Sequence, residues 1–154
     1  FGNVQQLISQ NCREEYRTIL FRKFMIKAAE IIKDKTDSSA ICTGDALAQV
    51  SSQTIHNMEV LNQSTNSLIL RPLVGLNKFD ILKISREIGT YDISVIPHDD
   101  ACSLLAPKSP IIKPDKKYWE NYTLDGINAE VIDAVDNSEI YELFFDGNSR
   151  RLFK

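Results

Sequence analysis

At 154 residues the chain has the length of one ordinary domain, enough to enclose a core. Its 43% apolar and 25% charged residues are those of a soluble globular protein, and no apolar run nears the roughly 20 residues of a membrane span. A net charge of −3 gives no nucleic-acid signal by itself, but its distribution is uneven. Residues 13–35 hold seven bases against four acids, and residues 120–154 hold eight acids against three bases.

The first six residues, from Phe1 to Gln6, carry neither a basic leader nor an initiator Met, so the expectation is a chain without a signal peptide that begins inside a longer protein. Residues 13–34 predict a long helix, with Tyr16, Leu20, Phe24, Ala28 and Ile31 on one stripe, broadened by Ile19 and Ile32. Its other face is basic, which is read either as a solvated surface or as a phosphate-facing one. Ser39–Thr43 reads as a short buried strand that stops at Gly44. A helix capped by Asp45 or Thr43 is expected next, with Leu47, Val50, Thr54 and Met58 on one side. After a polar loop at 62–67, Leu68–Arg71 reads as a second strand ended by Pro72.

Asn77 and Asp80 have capping-box spacing ahead of Ile81, Leu82, Ile84 and Ile88, and Gly89 fits a helix C-cap. Asp92–Val95 suggests a further short strand. The segment from Pro97 to Pro114 carries four prolines and is expected to be irregular. Ile127, Val131 and Val135 suggest a helix in the acidic tail, and Glu139–Phe145 reads as either a closing strand or a helix. Strand, helix, strand, helix is the grammar of an α/β fold with a parallel sheet, whose ligand site lies beyond the C-terminal strand ends. Two strands are few for such a sheet, so further strands are expected from upstream or from a second subunit, as in a homodimer.

Thr43-Gly44-Asp45 therefore occupies the expected ligand position. Glycine permits close backbone approach, and free amides there could receive a phosphate. Asp45 is read as a Mg²⁺ or ribose ligand or, equally, as a helix cap. Gln49, Ser52 and Gln53 would line a pocket or be ordinary solvated residues, and Arg71 would reach phosphate or form a surface ion pair. Lys78 and Lys83 are weaker candidates. Cys102 sits on the Pro-rich segment near His98 and Lys108, which favour a thiolate, while Asp99 and Asp100 oppose it. Cys42, inside the first strand, is expected to be a small core residue, and Cys12 is uninformative. Three widely spaced cysteines without a CxxC pair predict no disulfide framework and no bound metal, and a free thiol suits the cytoplasm.

Four separated stretches carry a family resemblance: Thr43 through Thr54, Leu70-Arg71-Pro72-Leu73, Ile88 through Ser94, and Cys102 through Pro110. Together with Tyr16–Met25 they resemble the PP-loop pyrophosphatase-type domain of the tRNA 4-thiouridine sulfurtransferases, the thiamine-biosynthesis family. The likeness runs from about residue 12 to 114. It implies an incomplete Rossmann-like (adenine nucleotide alpha hydrolase-like) parallel sheet with flanking helices. Residues 1–117 would form the C-terminal half of that domain and 118–154 an acidic extension packed on it. It implies an enzyme that uses ATP with Mg²⁺ to adenylate uridine 8 of tRNA and replaces O4 with persulfide sulfur, a chemistry also linked to thiazole synthesis for thiamine.

On this resemblance Cys102 and Asp45 are the catalytic candidates, and Thr43, Gly44, Gln49, Gln53 and Arg71 the nucleotide-binding ones. Arg17, Arg22 and Lys23 are candidates for the RNA side. The implied partners are tRNA, a cysteine desulfurase as persulfide donor, and the N-terminal PP-loop and THUMP regions. The family's Ser-Gly-Gly-x-Asp-Ser loop does not occur in these residues. The chain alone is therefore not expected to adenylate RNA. A non-catalytic nucleotide- or RNA-binding module, or a degenerate paralogue, is the alternative.

Overall fold

A computed structural model describes residues 1–98 and 106–153. Its centre is α2 (Arg17–Lys35), preceded by a 3₁₀ turn at Glu14–Tyr16. The expected stripe is buried through Tyr16, Leu20, Phe24 and Ala28, and Ile19, Phe21 and Ile26 are buried as well. The helix thus packs on more than one side, a pattern that marks an interior helix rather than a surface one. Thr36 ends it by donating its hydroxyl to the Ile32 carbonyl at 2.9 Å, with Lys33 and Lys35 in the last turn where the helix dipole favours cations.

Against one side of α2 lie α1 (Gly2–Asn11) and α7 (Ile127–Asp136). α1 carries little periodic signal in sequence, since its only buried residues are Val4 and Ile8, one turn apart. The tail helix is as expected: Ile127, Val131 and Val135 recur at four-residue spacing and are buried. Gly126 starts it at φ +78°, a left-handed conformation that glycine adopts without a Cβ penalty. Trp119, from α6 (Lys116–Asn121), joins the same core.

On the other side lie β1 (Ala40–Cys42), α3 (Ile55–Asn62) and β2 (Leu68–Leu70). The two strands pair in parallel with Ile41 opposite Ile69, so the expected parallel α/β unit forms. Among the described residues β1 pairs with β2 alone. Beyond them follow α4 (Lys78–Glu87) and α5 (Tyr91–Ser94). Asn77 caps α4 through its side chain and bonds Asp80, and Gly89 follows at φ +76°. The chain closes on an antiparallel hairpin of β3 (Ile140–Leu143) and β4 (Ser149–Phe153), which settles the tail between its two readings in favour of a strand.

Three expectations change. Residues 44–50 are irregular rather than helical, a 3₁₀ turn spans Ser51–Gln53, and Thr54 caps the helix by accepting from the Asn57 amide at 3.2 Å. The Asp45 side chain is drawn to arginines instead of to free amides, and Ala48 takes φ +61°, so a helix cannot run through. Asp92–Val95 lies in and just after the single turn of α5, closed by Ser94 and Val95 amides onto the Thr90 and Tyr91 carbonyls. Cys42 is exposed, because Ile41 takes the core-facing position and side chains alternate along a strand.

The Pro-rich segment after residue 105 is irregular, as expected, and is fastened at several points. Asn57, fully buried, donates to the carbonyls of Ser51 at 2.7 Å and Ile111 at 2.8 Å. Thr54 donates to the Ile112 carbonyl at 2.7 Å, the Ile111 amide to the Glu15 carbonyl at 3.0 Å, and the Asp115 amide to the Tyr16 hydroxyl at 2.9 Å. Replacing Asn57 strands two carbonyls at once. Asn57→Ala is expected to cost about 2 kcal/mol, seen as a lower urea midpoint with an unchanged slope.

Candidate functional site

The loop after β1 and the end of β2 meet at the carboxylate of Asp45, whose side chain is 4% exposed. A carboxylate so withdrawn from water needs compensation, and four side chains supply it. Arg22 of α2 pairs with Oδ1 and Arg71 donates Nε to Oδ2 at 3.1 Å. Thr43 donates its hydroxyl to Oδ2 at 2.9 Å, and Gln53 reaches Oδ1 at 3.4 Å. Burial pushes the Asp45 pKa up, but the Arg22 charge, the Thr43 and Arg71 hydrogen bonds and the Arg71 charge together outweigh it. The carboxyl is held below its ordinary value.

The loop has its own ties. The Leu47 amide bonds the Val74 carbonyl at 3.1 Å, the Ala48 amide bonds the Gln53 carbonyl at 3.0 Å, and Arg22 also donates to the Ser52 carbonyl at 2.8 Å. Gly44 has no Cβ neighbour within 4 Å and its φ is not in the left-handed region. Neither the turn nor packing among the described residues therefore requires glycine here. Beside it lies a cavity of about 490 Å³, walled by Met25, Ile26, Ala29, Ile41, Cys42 and Val50, with Arg22, Thr43 and Gln53 on its polar side.

Of the site residues read from sequence, the structure thus gathers Thr43, Gly44, Asp45, Gln53 and Arg71. Gln49 is exposed and does not line the cavity. Cys102 lies outside the described residues. The basic face of α2 is turned to internal work: Arg17 donates to the Ser9 carbonyl at 2.9 Å, Arg22 holds Asp45, and Lys23 sits 4.7 Å from the Trp119 ring centre. Burial, with Lys27 nearby, lowers the Lys23 pKa. Two members were missed from sequence. Arg22 has no neighbour in sequence that announces its pairing with Asp45, and Asn62 accepts from Arg71 Nη2 at 2.8 Å with no local motif to announce it.

The cavity, apolar with a polar rim, lies beside the C-terminal end of β1, the place where parallel α/β folds put their ligands. The family described as Thiamine biosynthesis protein (ThiI) matches residues 1–124, and the chain belongs to it. A probable tRNA sulfurtransferase of Halothermothrix orenii is 38% identical over 93% of this chain and 37% of its own length. One from Finegoldia magna is 42% identical over 91% of this chain and 36% of its own. The Bacillus subtilis protein of the same name is 36% identical over 99% of this chain and 38% of its own. A crystal structure of a 4-thiouridine synthetase–RNA complex with bound ATP superposes with a TM-score of 0.79 at 30% identity, covering 88% of this chain and 36% of that one. The chain therefore spans little more than a third of the length of these relatives.

Two outcomes test the site's electrostatics. A depressed folded pKa means that Asp45 stabilises the fold fully above the unfolded carboxylate value and loses this contribution as pH falls through the lower folded value. Asp45→Asn is expected to lose on the order of 2 kcal/mol at pH 7 by leaving two partly buried guanidiniums short of an anion. Its deficit against wild type should shrink as denaturation is followed below about pH 4. For the thiols, burial pushes Cys12 up to about 11, against the charge and hydrogen bond of Arg17. Maleimide labelling at pH 7, read by peptide mass, is expected to modify the exposed Cys42 well before Cys12.

Proposed function

We propose that this chain forms part of an ATP-dependent tRNA sulfurtransferase that adenylates uridine 8 and converts its O4 to sulfur, giving 4-thiouridine. The observation that carries the reading is the Asp45-centred cluster at the ends of β1 and β2, in a chain whose family and solved neighbour are those described above. In this reaction O4 of the uridine displaces pyrophosphate from ATP. Persulfide sulfur supplied by a cysteine desulfurase then attacks C4 and AMP leaves; a second thiol attacks the S–S bond that remains, so that a disulfide forms between the two thiols and the 4-thiouridine sulfur is released. The product's sulfur chemistry would also link the protein to thiazole synthesis for thiamine, in the cytoplasm.

The residues present fit one wall of an ATP site. The apolar cavity suits a base, Gly44 gives open backbone and Gln53 an amide on its polar side, and Arg71 reaches the same Asp45 carboxylate from the end of β2. They do not fit a Mg²⁺ site: the Asp45 oxygens are taken by cations and hydroxyl, and no group of three metal-ligating side chains occurs among the described residues. Any ion that offsets phosphate charge would be held by the phosphates and by other parts of the protein. Residues 1–117 would contribute this wall and 118–154 an extension, with a further strand set against the free edge of β1. That strand, the RNA-gripping regions and a second copy in a homodimer complete the proposal.

Cys102 remains the proposed sulfur-handling residue, and Asp45 stays in the site as an essential group. In a strain lacking tRNA 4-thiouridine, the intact polypeptide is expected to restore the base, measured by mass spectrometry of digested tRNA. Cys102→Ala should abolish 4-thiouridine while RNA-dependent pyrophosphate release continues. Binding of RNA or ATP with neither pyrophosphate release nor thiolation would replace this reading with that of a non-catalytic binding module.

A further inference from the structure

Arg71 leaves the end of β2 with its guanidinium held twice. Nε donates to Asp45 Oδ2 at 3.1 Å, and Nη2 donates to Asn62 Oδ1 at 2.8 Å. The acceptors come from separate elements, the loop after β1 and the last residue of α3. A planar fork fixed at two of its three nitrogens has one orientation, unlike a lysine ammonium, which turns freely. No described residue pairs with Nη1, and it is not among the buried unpartnered atoms.

Charge points the same way. Asp45 faces two guanidiniums, so Arg22, Asp45 and Arg71 together carry one net positive charge. Asp45 also cannot swing toward a substrate without uncovering Arg22, whose side chain is 17% exposed. A buried carboxylate that accepts from Arg22, Arg71, Thr43 and Gln53 is a poor base and a poor metal ligand, but a good anchor.

We propose that Asp45 and Asn62 are positioning residues that orient Arg71, whose Nη1 edge, unpaired among the described residues, binds a phosphate oxyanion of the substrate. The inference rests on the reading of the chain as part of a tRNA-modifying, ATP-using enzyme. The phosphate belongs either to ATP or to the RNA backbone, and the kinetics separate the two.

The test uses the intact polypeptide and follows RNA-dependent pyrophosphate release, varying ATP and tRNA separately. Asn62 is exposed, so Asn62→Leu is chosen as the variant that keeps its melting temperature. Arg71→Met is expected to raise one KM about tenfold or more, and Asn62→Leu to raise the same KM several-fold with kcat little changed. In the Arg71→Met background Asn62→Leu should add nothing, since both act through one group. Arg71→Lys should resemble Arg71→Met, because charge without a fixed plane does not suffice. A rise confined to the KM for ATP assigns the nucleotide phosphate, and one confined to tRNA assigns the RNA backbone. Multiplying effects in the double variant, full activity in Arg71→Lys, or a fall in kcat alone would overturn the proposal. Wild type that makes neither pyrophosphate nor 4-thiouridine would instead remove the enzymatic reading, and this inference with it.

Discussion

A carboxylate drawn out of water between two guanidiniums is tolerable only while all three remain together. Asp45, Arg22 and Arg71 meet that condition, and they come from the loop after β1, from α2 and from the end of β2. The pairing therefore joins the central helix to both parallel strands at the end where a ligand would enter. Thr43 and Gln53 complete the carboxylate's shell, so the loop from residue 43 to 53 returns on itself around one side chain. An irregular loop with Ala48 in the left-handed region persists because these contacts over-determine it.

The same logic explains how the Pro-rich segment is held where it re-enters the fold. Proline has no amide to give, so residues 106–115 rely on their neighbours for order. Asn57, Thr54, Glu15 and Tyr16 provide it, linking the segment to α3 and to the turn before α2. α3 thus serves both places. Its first turn fastens this segment, and its last residue, Asn62, fastens Arg71.

Much of this was legible where one local cause dominated. The stripe of α2, the capping of α4 by Asn77 and the four-residue spacing of Ile127, Val131 and Val135 each follow from neighbours in sequence. The residues gathered at the strand ends were legible too, as Thr43, Gly44, Asp45, Gln53 and Arg71. What failed depended on partners far along the chain. Asp45 looked like a helix cap because nothing local shows that Arg22 and Arg71, 23 and 26 residues away, compete for its oxygens. Arg22 and Lys23 read as surface charges because their partners, Asp45 and Trp119, are distant. Gln49 shared the motif's register but not its cluster, since the expected helix that would have set its direction does not form.

The distribution of apolar surface then bears on what kind of object these residues make. The side of α2 facing α1 and α7 is closed by Val4, Ile8, Val131 and Val135, all buried. Beyond the strands apolar side chains are left exposed: Leu68 and Leu70 of β2 are 60% and 49% exposed, Phe79 of α4 is 82% exposed, and α4 buries no residue. A capped, amphipathic helix gains little stability unless its apolar face is covered. A two-stranded parallel sheet is likewise an uncommon end point, because parallel strands are normally covered and paired on both sides. Among the described residues β1 pairs with β2 alone, and the cavity beside Gly44 lies between α2, β1 and the loop that follows β1. The exposed apolar side chains of β2 and α4 therefore leave stabilisation to be gained by covering them, whereas the strand ends already have in Asp45 and its two arginines a tie that holds them in shape.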